Sequence, residues 1–549
     1  MPIIDDVRTP RPTAPLPVRR RLAARSAALA AAAALAVSGG CRGAPAPDER
    51  AESTAASVVA GTAEAPLAPG ALPTYTLGPP GVMGLATAGS ADGSSVAPGG
   101  GGNAPPSNGN PPPAEGLPAP TPRPSEAVAA AGPPPTDPAI VDLMGAVSAD
   151  RLRADVVKLA SLGTRHALSS PEGGARGVGP ARQWLRERFE QIGRSSVSQI
   201  VAQAEPFPLT FAGRSTEQQN VVATLTGIGR DKRFVYVIAH YDSRTSALDD
   251  GASDAPGASD NASGTAALLE LARVMGRRQW DATVRLLATA AKEEGQFGAK
   301  HHAAHARELG LGIVAVLNND VVGGAAGAGG ARQPASVRAF SAGADGGPSR
   351  RLARYAAVVA ARYAGALGAP AGPLAVEAVP TADVDAEGGD HMAFTEAGYP
   401  AIRLMDAIED AGRRHAVSDT AERLDPAYQA AVVRLNVAVA ANLALAPVGE
   451  VAAPRLVVEA VAAGTAAGAT ESPGGDRLRV TWDALPNPDV KGYYVAWRLA
   501  GEPAYRAVQW SRGTETVING VPVGAEVRVA VAGSDDLGHM GVFGGEGVR

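Results

Sequence analysis

The sequence predicts an α/β protein: a mixed, mostly parallel sheet sandwiched by helices, followed by a small all-β sandwich at the C-terminus. Three observations carry this. Short β-type runs at 220–225, 234–239, 284–288, 313–317 and 401–405 alternate with helical stretches such as 264–275 and 350–364, a pattern that implies a sheet covered on both faces. Hydrophobic residues make up 45% of the chain but aromatics only 4%, so Ala and Val must build the core from small side chains, as closely packed α/β layers allow. From residue 451 onward the helical spacing gives way to alternation. Leu478, Val480 and Trp482 mark one strand, Tyr494, Ala496 and Arg498 a second, and Val527, Val529 and Val531 a third, which together imply a turn-rich sandwich.

Taken in order, the 549 residues divide into four pieces. Residues 1–40 read as an export signal: Arg19, Arg20, Arg21 and Arg25 precede an apolar run at 27–37, well short of the ~20 residues that a spanning helix needs. Cys41 follows Val37-Ser38-Gly39-Gly40 and resembles the acylated cysteine of bacterial lipoproteins, with Ser38 where that signal usually carries Leu. The expectation is an exported protein, lipid-anchored at Cys41 or secreted. Residues 41–137 are rich in Ala, Pro and Gly and read as a disordered linker; the chain's 66 glycines and 45 prolines, about a fifth of its length, suit such a segment. Helical spacing begins with Ile140, Leu143, Leu152, Val156 and Leu159 and resumes with Trp184, Leu185, Phe189 and Ile192, opening a folded domain over 138–450. The sandwich occupies 451–549.

Composition excludes several functions. With 50 basic and 55 acidic residues spread along the chain, no polybasic face can neutralise a row of phosphates, so nucleic acid is not an expected partner. A single cysteine rules out an internal disulfide, a Cys-based zinc site and an iron–sulfur cluster. Any metal must be held by His, Asp and Glu.

Open α/β sheets bind ligands just beyond the carboxyl ends of their strands. There the run 234–239 delivers His240-Tyr241-Asp242, the run 284–288 leads to Glu293-Glu294-Gly295, and the run 313–317 ends in Asn318-Asn319-Asp320. Asp260 stands just before the helix at 264–275, and His415 follows the run 401–405. Four carboxylates and two imidazoles gathered at one edge repel one another by several kcal/mol unless something positive sits among them. Divalent ions would supply that charge, and a mixed His and carboxylate set suits zinc better than magnesium or calcium. Asp242, two residues after His240, can take the proton of the other imidazole nitrogen and fix the ring's tautomer.

In this order and at these separations, His240-Tyr241-Asp242, Ser259-Asp260-Asn261-Ala262-Ser263-Gly264, Glu293-Glu294-Gly295, Asn319-Asp320, Asp390-His391-Met392-Ala393-Phe394 and His415-Ala416-Val417-Ser418-Asp419-Thr420 resemble the co-catalytic di-zinc aminopeptidases of clan MH. The match spans 149–443. The resemblance implies a zinc exopeptidase fold with two Zn2+ ions bridged by Asp260, one completed by His240 and Asp320, the other by Glu294 and His415. It implies Glu293 as the general base acting on the water the metals share, and peptides with a free N-terminus as substrates. It places Asp390 close to the metals without ligating them. Some relatives carry an oxyanion-stabilising tyrosine before the last histidine; Arg414 stands there, either as a donor itself or as a sign of different chemistry. The same scaffold supports glutaminyl cyclases and carboxypeptidases, and a non-catalytic surface-binding lipoprotein is the third reading.

The segment Arg479-Val480-Thr481-Trp482-Asp483, with Pro488-Asp489-Val490-Lys491-Gly492-Tyr493, resembles strands of a fibronectin type III domain and implies a spacing or binding module. Blander roles are expected elsewhere. His301, His302 and His305 are read as a solvated helix face, because no Glu follows His301 as the zinc-protease helix motif requires. His391 is read as structural, the stretch Gly163-Thr164-Arg165-His166 as ordering a loop, and Trp482 and Tyr494 as sandwich core.

Overall fold

The computed structural model describes residues 134–170, 174–324, 326–384, 388–459 and 475–549. The expected export signal, Cys41 and the linker up to residue 133 lie outside them.

Eight strands form one mixed sheet: β1 (Val201–Phe211), β2 (Arg214–Leu225), β3 (Arg233–His240), β4 (Thr283–Thr289), β5 (Gly312–Asn319), β6 (Ser336–Phe340), β7 (Ala375–Val379) and β8 (Ala401–Asp406), in the order β1-β2-β4-β3-β5-β8-β6-β7. The middle of the sheet is parallel, β4-β3-β5-β8, so four carboxyl ends emerge along one edge. The antiparallel β1–β2 hairpin flanks it on one side, and β6 runs antiparallel to β8 on the other.

Both faces of β3 are covered. Val235, Val237 and Ala239 pack into the larger core with the helices Ser263–Met275 and Pro426–Leu445, while Tyr236 and Ile238 pack on the other side with Ala299, Ala303 and Phe394. That is why these strands read as continuous apolar runs rather than as alternation. The helix Pro426–Leu445 has the length and hydropathy of a membrane span but is buried in the middle of the larger core. A helix apolar all round belongs in an interior. Asp425 caps it by accepting from the amides of Ala427 and Tyr428, both at 3.1 Å, and Pro426 starts it where no amide is needed.

The C-terminal strands are β9 (Arg455–Glu459), β10 (Asp476–Thr481), β11 (Gly492–Leu499), β12 (Ala507–Ser511), β13 (Glu515–Val521), β14 (Val527–Ser534) and β15 (Gly547–Val548). They make a three-stranded sheet, β13-β10-β9, and a four-stranded sheet, β12-β11-β14-β15. Between the sheets lie Leu478, Val480, Trp482, Tyr493, Val495, Trp497, Val527, Val529 and Val531. Tyr494 was expected in this core but lies on the opposite face of β11. With Ala496, Ala530 and Ala532 it joins the larger core, and the guanidinium of Arg362 lies 4.4 Å from its ring centroid. The phase of β11 cannot be read from alternation because the peptidase-side face is buried as well.

Candidate metal centre

His240 closes β3 opposite Thr289 of β4. Its Nδ1 lies 3.3 Å from the Asp242 carbonyl oxygen and 3.7 Å from the Asp242 carboxylate, so the backbone is the nearer partner and Nε2 is left facing the sheet edge. There Nε2 stands 3.1 Å from Asp260 Oδ1 and 3.3 Å from Asp320 Oδ1. Asp260 comes from the loop before the helix Ser263–Met275. Asp419 holds that loop, its carboxylate accepting from the amides of Ser259 at 2.9 Å and Asp260 at 3.0 Å, while Asn261 donates to the Asn319 carbonyl at 2.8 Å. The second oxygen of Asp260 lies 3.3 Å from His415 Nε2, which is also 3.3 Å from Glu293 Oε2. His415 sits at a φ of 59°, a left-handed conformation that costs a non-glycine residue free energy and is tolerated where function demands the geometry.

Two groups of potential ligand atoms result, His240/Asp260/Asp320 and Asp260/Glu293/His415, each within 4.8 Å of one another. A tetrahedron of ligands about 2.0–2.1 Å from zinc has edges of about 3.3 Å, which is the spacing of these imidazole and carboxylate atoms. The centre also lacks internal satisfaction. Both oxygens of Asp260, Glu293 Oε1, Asp320 Oδ2 and His415 Nε2 are buried without a hydrogen-bond partner. Buried carboxylate oxygens left unpaired are costly, and a cation bound between them removes the cost. The residues present therefore fit a metal with nitrogen and oxygen ligands.

Of the two adjacent glutamates, Glu293, expected as the base, has its carboxylate in a ligand group, and Glu294, expected as a ligand, does not. Glu293 reaches into the centre, its amide donating to Asp242 Oδ2 at 3.0 Å, and its carboxylate stands in the ligand group. Glu294 points away: its Oε1 accepts from the Ala167 amide at 3.1 Å and lies 3.3 Å from His166 Nδ1. Neighbouring side chains on a tight non-helical turn diverge, and this turn is tight, with positive φ at Ala291, Gly295 and Gln296. With the Glu293 amide held by Asp242, the Glu294 side chain turns from the centre and is buried against Ala167 and His166. Burial beside Asp242 and Glu293 pushes the Glu294 carboxyl well above its ordinary pKa.

Three cationic side chains stand among the acids, where the sequence predicts none. Lys292 Nζ lies 3.5 Å from Glu293 Oε2, Arg244 Nε 3.1 Å from the same oxygen, and Arg403 3.3 Å from Asp320 Oδ1. Burial alone would raise the Glu293 pKa, but Lys292 beside it helps bring it down to about 2. Burial opposes a charged ring at His415, yet Asp260 and Glu293 lift its pKa to about 9.

Asp390 is fully buried and accepts from the Thr289 hydroxyl; burial pushes its carboxyl up to about 6. It stands in neither ligand group. Arg414 pairs with Glu409 at 3.2 Å. His391 donates from Nε2 to the Ala382 carbonyl at 2.8 Å. The expected solvated face at 301–305 is only partly so: His305 is exposed, whereas His302 is buried between Glu205 at 2.8 Å and the Tyr236 hydroxyl at 3.2 Å. The helix Phe297–Glu308 covers one face of the sheet, and its inward side needs residues there. Arg165, in the stretch read as ordering a loop, is fully buried and donates to the carbonyls of Leu159, Tyr241, Pro256 and Gly257 at 2.6–3.2 Å. It thus ties the loop bearing Asp242 to the loop bearing Asp260.

The profile of peptidase family M28 matches residues 220–440. A "Probable zinc metalloprotease" of Pyrenophora teres f. teres is 32% identical over 406 residues, covering 67% of this chain and 78% of that protein. Another, from Pyricularia oryzae, is 34% identical over 392 residues, covering 65% of this chain and 74% of its own. The solved structure of the LapA aminopeptidase of Legionella pneumophila aligns with a TM-score of 0.43 at 19% identity, covering 55% of this chain and 73% of that one. Fold, centre and relatives define a zinc metallopeptidase. The chain belongs to peptidase family M28.

Proposed function

We propose that the protein is a zinc-dependent aminopeptidase that removes N-terminal residues from peptides, with one Zn2+ held by His240, Asp260 and Asp320 and a second by Asp260, Glu293 and His415. One observation carries this reading: the two oxygens of Asp260 face different histidines, Oδ1 at 3.1 Å from His240 and Oδ2 at 3.3 Å from His415. When bound, zinc supplies Lewis acidity toward a peptide carbonyl and lowers the pKa of a coordinated water to about 7. The chain's own residues do the rest. Asp242 orients both sides of the centre, facing the His240 ring with one oxygen and holding the Glu293 amide with the other. Asp390 keeps a buried oxygen without a partner, and with the acids around it this favours a substrate end that is positively charged, the α-ammonium of a free N-terminus.

A second reading has its own observation. Lys292, not a carboxylate, flanks Glu293 at the centre while Glu294 faces His166. A centre of this kind could take up zinc and bind peptide ends with slow turnover. The remaining proposals rest on sequence: export with an anchor at Cys41, and a fibronectin type III-like spacer at the C-terminus.

Aminoacyl chromogenic substrates and their N-blocked counterparts, with and without chelator, test the reading. Chelator-sensitive turnover of free-amine substrates alone is expected. Cleavage of N-blocked substrates at equal rate would refute an aminopeptidase, and zinc uptake without turnover would favour the second reading.

A further inference from the structure

Glu293 Oε2 has three nitrogen-bearing neighbours: His415 Nε2 at 3.3 Å, Arg244 Nε at 3.1 Å and Lys292 Nζ at 3.5 Å. Lys292 and Arg244 are both buried, 5% exposed, so water does little to screen either charge. Asp320, in the other ligand group, is approached by Arg403 at 3.3 Å, but Arg403 is itself paired with Asp383. His240 is fully buried, whereas His415 is partly open to solvent. The two candidate zinc positions are therefore unequal in charge and in enclosure.

We propose that Lys292 is a built-in cation that competes with metal for Glu293 and makes Asp260/Glu293/His415 the weaker of two zinc sites. The proposal rests on the two-site reading above and deepens it. A fixed positive charge within a few ångströms of a carboxylate oxygen lowers that oxygen's affinity for a divalent ion, and in a buried site the effect exceeds tenfold. The consequence is a centre that keeps one zinc at His240/Asp260/Asp320 and fills the second position only when free zinc is abundant or when a substrate group displaces the ammonium.

The test is zinc stoichiometry and affinity, measured on the full chain by competition with a chromogenic chelator, for wild type, Lys292→Met, Lys292→Arg and Asp260→Asn. Wild type should bind one zinc tightly and a second at least tenfold more weakly. Lys292→Met should tighten the second event at least tenfold and the first by a smaller factor, while Lys292→Arg should behave as wild type. Equal affinities in wild type, or a Lys292→Met protein with wild-type affinities at both events, would overturn the proposal. If Asp260→Asn binds both ions as wild type does, the two-site reading itself fails. Thermal unfolding of each zinc-loaded variant identifies any that do not fold, and Lys292→Gln then replaces the Met variant.

Discussion

Glu293 and Glu294 are identical side chains one residue apart, and only their surroundings separate them. The Glu293 amide is held by Asp242, while Glu294 accepts from the Ala167 amide away from the centre. Glu293→Gln is expected to remove the weaker zinc and lower kcat/KM at least a hundredfold. Glu294→Gln, which leaves both ligand groups intact, should keep kcat/KM within about tenfold; zinc content and steady-state kinetics on an aminoacyl substrate check both. His240, Asp260, Asp320 and His415 were legible in the sequence because each follows a strand or precedes a helix at a fixed place on the sheet edge. The order of the glutamate pair was not, since it depends on how the turn after β4 winds. Lys292 was in plain view beside Glu293, but a lysine is ordinarily solvated, and no spacing rule marks one that is buried.

The parallel strands β3, β4, β5 and β8 were readable as apolar runs, within a residue or two at each end. Strands β1, β6 and β7 were not: β1 and β7 lie at the sheet's edges, half exposed and with mixed composition, and β6 is only five residues long. The loops at the carboxyl ends are held by polar groups rather than by apolar packing. Arg165 is the clearest case, because its guanidinium satisfies carbonyls in two of those loops and on the helix before it. Arg165→Met should strand these carbonyls in an apolar surrounding and cost roughly 3–5 kcal/mol of stability, measured by urea unfolding, with loss of zinc binding as the loops separate. An unfolding midpoint unchanged from wild type would show that the loops hold without it.

The sandwich is docked rather than tethered. Tyr355 donates to the Met540 carbonyl at 2.6 Å, Arg362 to the Gly538 carbonyl at 2.9 Å, and the buried Arg498 to Asp345 at 2.6 Å and Glu546 at 2.7 Å. His539 bridges to the first turn of the peptidase domain, with Nε2 3.0 Å from Asp137 and Nδ1 2.6 Å from Asp535. Burial opposes its charged form, but the two carboxylates raise its pKa above the ordinary value. A raised histidine contributes stability that is complete below its unfolded pKa of about 6.5 and is lost as pH climbs through the folded value. Wild type should therefore lose roughly 1–2 kcal/mol more than His539→Asn on going from pH 6 to pH 9, read from thermal unfolding at each pH. At this scale sequence alternation reports only the faces turned to water, so a sheet buried on both sides hid the docking. The most direct measurement for the whole zinc-loaded protein is anomalous scattering at the zinc edge. Two peaks about 3.5–4 Å apart on either side of the Asp260 carboxylate, one beside His240 and Asp320 and the other beside Glu293 and His415, are expected; a peak ligated by Glu294, or none near Asp260, would contradict the account.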